Sequence, residues 1–460
     1  MQCLATRAVC SRYNLATGRP NCAPALRIFP RRHAFAPFAR PSKPVSCGYV
    51  HEGRRRLESD LGRSNMQEMQ YRHDRTGDPV SILGFGCMRF ARKGPRIDLE
   101  ETERQILRAI ELGVNYFDTA YIYPGSEDAL GRILEKNGVR DKVRIATKLP
   151  QYLIKGAGAI DRYFEEQLQR LRTDHVDFYL MHMLTDIAAW EKLVALGIED
   201  WIARKKESGQ IGQIGFSFHG NTDMFKRVLA AYDWDFCQIQ YNYLDETSQA
   251  GREGLLAAAE RNIPVIIMEP LRGGTLATRL PEGARRAIEA DSHGWTPAEL
   301  ALRWLWDQPE VTCVLSGMNS LEMLEAICRV ASSCEAGSFG REELALVADV
   351  RERILAATKV GCTGCRYCQP CPVGIDIPAL FSAWNMMATD GKAHARHVYL
   401  QTVGLQKEPA FASACVRCGT CESHCPQHIP IREKIQEADR ALRPLPDRIA
   451  GAVGRWWALR

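Results

Sequence analysis

The sequence predicts an α/β protein, a (β/α)8 barrel followed by a small helix-rich domain that carries clustered cysteines. Three observations predict it. Between about residues 80 and 332, eight short apolar runs alternate with amphipathic helical stretches. That is the unit count of a closed barrel, whereas an open doubly wound sheet usually has fewer. Several of those runs stop at a charged or polar residue, as strands do at a barrel's active rim. Eight cysteines then fall into two short groups between Cys362 and Cys425. No GxGxxG opens the first unit, which removes the Rossmann alternative.

Residues 1–65 are rich in Arg, Pro, Ala and Cys without a sustained period of 2 or 3.6. They read as a basic leader, either a transit peptide or a disordered arm ahead of a start at Met66 or Met69. The second reading is favoured, because no amphipathic helix is visible and the first globular pattern starts at Met69-Gln70-Tyr71-Arg72. The barrel is expected over 66–335, with strands at 80–84, 115–118, 143–148, 177–182, 211–217, 236–241, 264–269 and 312–316. Helices are expected at 98–112, 161–171, 186–208 and 297–306. Asp98, Asp161 and Thr296 stand where N-caps or first-turn residues belong, and Gly113 where a helix C-terminal cap does. A helical linker over 336–360 leads into a cysteine domain over 361–442, which a helix at 431–442 closes. Arg443-Pro444-Leu445-Pro446 opens a C-terminal tail, 443–460, that includes Trp456-Trp457.

The net charge of +5 misleads, because the first 51 residues hold eight basic residues and no acid. The remaining chain is mildly acidic and offers no general polyanion surface, so nucleic acid is not an expected partner. No secretory core or apolar run of about 20 residues occurs, so no membrane span is expected and the protein is placed in the cytoplasm. Clustered cysteines without export signals point to metal in a reducing compartment. Cys87, Cys237, Cys313, Cys328 and Cys334 lie in apolar surroundings and read as small buried hydrophobes.

In Gly113-Val114-Asn115-Tyr116-Phe117-Asp118-Thr119-Ala120-Tyr121-Ile122-Tyr123 an apolar run ends at an acid, with a phenol just beyond. The next two runs end at Lys148 and His182. Reducing a carbonyl requires a hydride donor and an acid that protonates the developing oxyanion. A tyrosine, with an ordinary pKa of about 10, is a weak acid unless a nearby cation stabilises its phenolate. Lys148 would supply that cation, Asp118 would hold and neutralise it, and His182 would orient the carbonyl oxygen. The competing reading is a buried Asp118–Lys148 ion pair with Tyr123 and His182 as rim residues. Four such residue types in this order favour the catalytic one. Arg89, Tyr121, Tyr152 and Trp190 are candidate pocket residues.

From 69 to 332 the chain resembles the aldo/keto reductases, on GVNYFDTAYIY, ATK, LMH, GFS and the eight-unit count. The resemblance implies a catalytic tetrad at Asp118, Tyr123, Lys148 and His182. It also implies NAD(P)H bound across the strand C-termini, with Ser217 and Gln238 on its nicotinamide carboxamide. At other family positions the chain departs. Phe218 stands in place of an asparagine, Met268 in place of a stacking tyrosine, and Gly317 and Met323 where basic residues grip the 2′-phosphate of NADPH. A charge-assisted contact to that phosphate is lost there, so NADH, NADPH or another donor all remain open.

Cys415-x2-Cys418-x2-Cys421-x3-Cys425-Pro426 is the ferredoxin spacing for [4Fe–4S] ligation. The first group, Cys362-x2-Cys365-x2-Cys368-x2-Cys371-Pro372, has a last gap one residue shorter, with Pro370 inside it. Zinc is the alternative, although zinc sites seldom use four cysteines in one such run. By resemblance to two-cluster ferredoxins, Cys362, Cys365, Cys368 and Cys425 would hold one cluster, and Cys415, Cys418, Cys421 and Cys371 the other. The chain then resembles the ferredoxin-fused branch of the aldo/keto reductases. That implies an oxidoreductase acting on a small carbonyl or alcohol and coupled to two [4Fe–4S] clusters, with an electron-carrier protein as a possible partner. Two alternatives stand beside it: an electron-transfer or redox-sensing protein whose barrel only binds, and an enzyme whose clusters are structural staples.

Overall fold

The structure is a computed structural model that describes residues 68–362, 364, 366–404, 409–425 and 427–443. The leader expected over 1–65, Cys365, and the tail after Arg443 lie outside the described residues.

Eight parallel strands close into a barrel. In order around it they are β3 (Leu83–Gly86), β6 (Tyr116–Asp118), β7 (Arg144–Leu149), β8 (Val176–Leu184), β9 (Ile211–Phe218), β10 (Phe236–Gln240), β11 (Val265–Met268) and β12 (Val311–Ser316). Two short ribbons stand outside it, β1 (Tyr71–His73) with β2 (Pro79–Ser81), and β4 (Arg92–Lys93) with β5 (Arg96–Ile97). The sequence reading ran β2 and β3 together as one strand at 80–84. The chain turns between them, where Ser81 Oγ donates to Leu83 O and the Ser81 N–H donates to Asn115 Oδ1. Val80 therefore enters the barrel's interior from below, with Tyr116, Phe178 and Phe236. These rings meet edge to face at 5.0 and 5.1 Å and fill the bore.

The surrounding helices begin with α1 (Leu99–Glu111), α2 (Ser126–Asn137), α3 (Gly158–Leu171), α4 (Ile187–Val194) and α5 (Ile198–Glu207). They continue with α6 (Thr222–Ala231), α7 (Gly251–Ala259), α8 (Thr275–Thr278), α9 (Glu282–Glu289), α10 (Pro297–Trp306) and α11 (Leu321–Ser332). Local chemistry sets their ends. The Asp98 side chain accepts from the Glu101 N–H, and Thr296 with Glu299 forms a reciprocal capping box at α10. Asp161 sits in the first turn of α3. The single helix expected over 186–208 is two, because Gly197 at φ 80° breaks it.

Helix α12 (Arg341–Ala357) buries Val347, Val350 and Ile354 in the barrel's outer core. Beyond it α13 (Ile377–Thr389), α14 (Lys392–Tyr399), α15 (Thr420–Ser423) and α16 (Ile431–Leu442) enclose a second core around Phe381, Tyr399 and Ile435. Cys362, Cys368, Cys371, Cys415, Cys421 and Cys425 lie half-buried against that core. Among the described residues no helix is long and apolar enough to cross a membrane.

Close packing of α2 on α3 depends on Gly131. A Cβ there would press on Arg170 O and lie 2.6 Å from the Leu171 carbonyl carbon. Backbone cannot yield as a side-chain tip can, so Gly131→Ala should destabilise the barrel by about 1–3 kcal/mol. Urea unfolding would read this as a lowered midpoint, and an unchanged midpoint would refute the packing argument.

Candidate active site

β6, β7 and β8 are neighbours in register, with Asp118 paired to Ala146 and Lys148 to Leu180. This brings three strand ends to one point on the barrel's C-terminal rim. Lys148 Nζ donates to both carboxylate oxygens of Asp118 at 2.6 Å and to Thr119 O at 2.7 Å. All three ammonium protons are thereby used, and both side chains are buried. Burial pushes the Asp118 carboxyl up, and the Lys148 charge opposes it.

Tyr123, in the loop after β6, presents its ring to Lys148 Nζ at 5.3 Å from the centroid, and to His182 edge-on at 6.2 Å. Burial, with Asp118 behind it, raises its phenol well above the ordinary value. The expected lowering by Lys148 does not prevail, because that charge is already committed to Asp118. At rest Tyr123 is a protonated phenol. His182 is held well below its ordinary pKa, first by burial and then by Lys148 and His219. It is a neutral imidazole, with Nδ1 lacking a partner among the described residues.

A buried network beneath the rim fixes Lys148, and the sequence reading did not single it out. Glu127 of α2 accepts from Thr147 Oγ1 at 2.7 Å and from Gln167 Nε2 at 2.8 Å. Gln167 also donates to Lys148 O and accepts from the Tyr179 hydroxyl. A polar residue at an inward position of each helix was the available signal.

The cofactor-side candidates are more dispersed. Gln238 of β10 leans on Asp118 at 3.4 Å, and its buried Oε1 has no partner among the described residues. An orphaned acceptor there fits the N–H of a carboxamide. Ser217 Oγ already accepts from the Met183 N–H at 2.8 Å, leaving its own proton to donate. Phe218 is wholly buried beside Phe225, so that position offers no polar contact. Met268 packs on the interior core, Gly317 follows β12, and Met323 is exposed on α11.

Of the pocket candidates, Tyr152 faces His182 with ring centres 6.3 Å apart. Tyr121 turns to Glu166 and Arg170 instead. Trp190 is buried against Trp234 and is core, not pocket. His219, missed in the sequence, sits one residue past β9 on the same rim. Burial lowers its pKa to about 4, and its Nδ1 pairs with Gln249 Oε1 at 3.2 Å.

The cysteine domain meets this rim. Tyr367, between Cys365 and Cys368, lies across His219 at 6.1 Å between ring centres. Ser248, after β10, donates to Gln427 Oε1 at 2.8 Å. Arg351 of α12 pairs with Glu246 at 2.8 Å. Cys371 from the first run and Cys415, Cys418 and Cys421 from the second line one hollow, together with Cys368. Among the described residues no three His, Cys, Asp or Glu side chains converge as a closed metal site. The donors are nevertheless thiols on tight loops, as iron–sulfur ligation requires. The Arg417 N–H points at Cys415 Sγ at 3.4 Å, and hydrogen bonds from Thr420 hold the Cys418 thiol below its ordinary pKa.

Residues 82–336 match the aldo/keto reductase family, and residues 361–429 match the 4Fe-4S dicluster domain. An uncharacterized oxidoreductase, YrpG, of Bacillus subtilis (strain 168) is 28% identical over 56% of this chain and 89% of its own length. L-glyceraldehyde 3-phosphate reductase of Escherichia coli O157:H7 is 26% identical over 61% of this chain and 92% of its own length. Among solved structures, the holo form of aldo-keto reductase AKR11C1 from Bacillus halodurans matches with a TM-score of 0.51 and 26% identity, covering 62% of this chain and 96% of its own.

Both rim imidazoles are neutral in the fold and charge on unfolding below about pH 6.5. Below that pH the unfolded chain binds more protons, so stability should fall as pH drops from about 6.5 toward 4. Urea midpoints at pH 7.0, 5.5 and 4.5 should decline in that order, less steeply in His219→Gln. An equal decline in the variant would refute the assignment.

Proposed function

Because the chain belongs to the aldo/keto reductase family and carries a C-terminal 4Fe-4S dicluster domain, we propose that it interconverts a small carbonyl compound and its alcohol in the barrel and couples this to iron–sulfur clusters. The observation that carries the reading is the closed Asp118–Lys148 pair with Tyr123 and neutral His182 beside it, on a barrel rim whose loop after β9 meets the cysteine domain.

NADH or NADPH, when bound, supplies the hydride. Tyr123 holds the proton that the carbonyl oxygen takes up, and Lys148 steadies the phenolate left behind through space. Asp118 keeps Lys148 in place and offsets its charge. Neutral His182 donates a hydrogen bond to the same oxygen and fixes its direction. Tyr152, half-exposed opposite His182, narrows the mouth. Cys362, Cys365, Cys368 and Cys425 would hold one cluster, and Cys415, Cys418, Cys421 and Cys371 the other. The shared hollow of that second set supports the crossed arrangement. In the alcohol-oxidising direction, where the hydride is not consumed by a carbonyl, two clusters would accept its two electrons one each for an electron-carrier protein, and its proton would be released to solvent.

Tyr123→Phe should lower carbonyl reduction by about 10²–10⁴-fold while leaving nucleotide affinity within about twofold. Retained activity would favour the reading in which the barrel only binds. Anaerobic titration of the cluster-loaded protein with NADH and NADPH should bleach the visible absorbance and produce a reduced-cluster paramagnetic signal. Reduction by dithionite alone would leave the barrel chemistry standing and end the coupling.

A further inference from the structure

Gly317 and Met323 carry no charge where the family resemblance implies basic residues, yet a cation reaches Gly317 from the end of the neighbouring strand β3. Arg89 ends the short turn Cys87–Arg89 that follows β3. Its stem lies across Gly317, where a built Cβ would meet Arg89 Cδ at 2.8 Å, Cβ at 3.1 Å and Cγ at 3.2 Å. Its head continues to the loop after β11, with Nη2 3.3 Å from a Cβ placed on Gly273 and 3.9 Å from Glu269 Oε1. Two glycines thus form the groove that the side chain occupies. At 3.9 Å the Glu269 contact is at the outer limit of an ion pair, and the Arg89 side chain is 49% exposed. Such a pair contributes little against the side-chain entropy lost in holding an arginine extended.

We infer that Arg89 binds the diphosphate of the nicotinamide dinucleotide. The assignment rests on the nicotinamide reading above. A planar guanidinium with five donors matches two oxygens of a diphosphate at once. The head lies beside Gly273 and Glu269 in the loop after β11, and the diphosphate is a charged group that NADH and NADPH share.

Calorimetric titration of the full-length, cluster-loaded protein with NADH, NADPH and ADP-ribose tests this. Arg89→Leu should weaken all three by a similar factor, on the order of tenfold. Gly317→Val fills the groove without changing a charge and should give the same pattern, with Arg89→Lys between it and the wild type. Thermal unfolding checks that each variant is folded. Loss confined to NADPH would overturn the diphosphate assignment in favour of the 2′-phosphate. Unchanged affinity in Arg89→Leu would overturn it while leaving the nicotinamide reading intact. Wild-type protein that binds ADP-ribose, with Arg89→Leu weakened, but takes neither reduced nucleotide would sink the nicotinamide reading and keep Arg89 on a diphosphate. Binding of none of the three would overturn both.

Discussion

Burying the Lys148–Asp118 pair sets the terms for everything at the rim. Taking two charges out of water costs several kcal/mol for each ion, so the pair survives only if every donor is satisfied. Here each ammonium proton has an acceptor, two on Asp118 and one on Thr119. That arrangement needs β6 and β7 in their observed register, and the Glu127–Gln167 network braces β7 from the helix side. It also explains why Tyr123 is a stronger proton holder than a neighbouring lysine would suggest. With its hydrogen bonds spent, Lys148 acts on the phenol only through the face of the ring. The phenol keeps its proton until negative charge develops on a substrate oxygen.

The cysteine domain makes a different demand on the same rim. Hydride transfer moves two electrons together, while a [4Fe–4S] cluster moves one. In the proposed coupling the clusters need to stand near the barrel's mouth, and the loops that carry them do. Tyr367 comes from the first cysteine run and Gln427 follows the second, and they touch the loops after β9 and β10. An enzyme whose clusters were only staples would have no need to place both loops on the catalytic side. Phe218 fits the same picture from the barrel side. Its side chain is buried in the core beside Phe225, and the next residue, His219, meets the cysteine domain.

Much of this was legible in the sequence because its period and its strand ends are local signals. Each strand–helix unit, each of the strand-end residues Asp118, Lys148 and His182 with Tyr123 just beyond the first, and each cysteine run is signalled within a short window of its own. Boundaries were less legible where one residue overrides a pattern. Gly197 splits a helix that reads as continuous, and Ser81 turns the chain inside an apolar run. The sign of the Tyr123 shift was not legible at all. It depends on how many acceptors surround Lys148, which is a count of neighbours in space.

Arg89 was legible as a pocket residue, but its place beside Gly317 was not, for a related reason. Read position by position, Gly317 offers no side chain at all. In the closed barrel β12 and β3 are hydrogen-bonded neighbours, so the residue after one strand lies beside the residues after the other. A side chain from the first strand end can therefore lie along the eighth, provided nothing bulkier than hydrogen stands in the way. The glycine at 317 and the arginine at 89 are then one feature: the first removes the Cβ that would block the second. A barrel rim is a ring, and a sequence cuts that ring open at the point where these two residues meet.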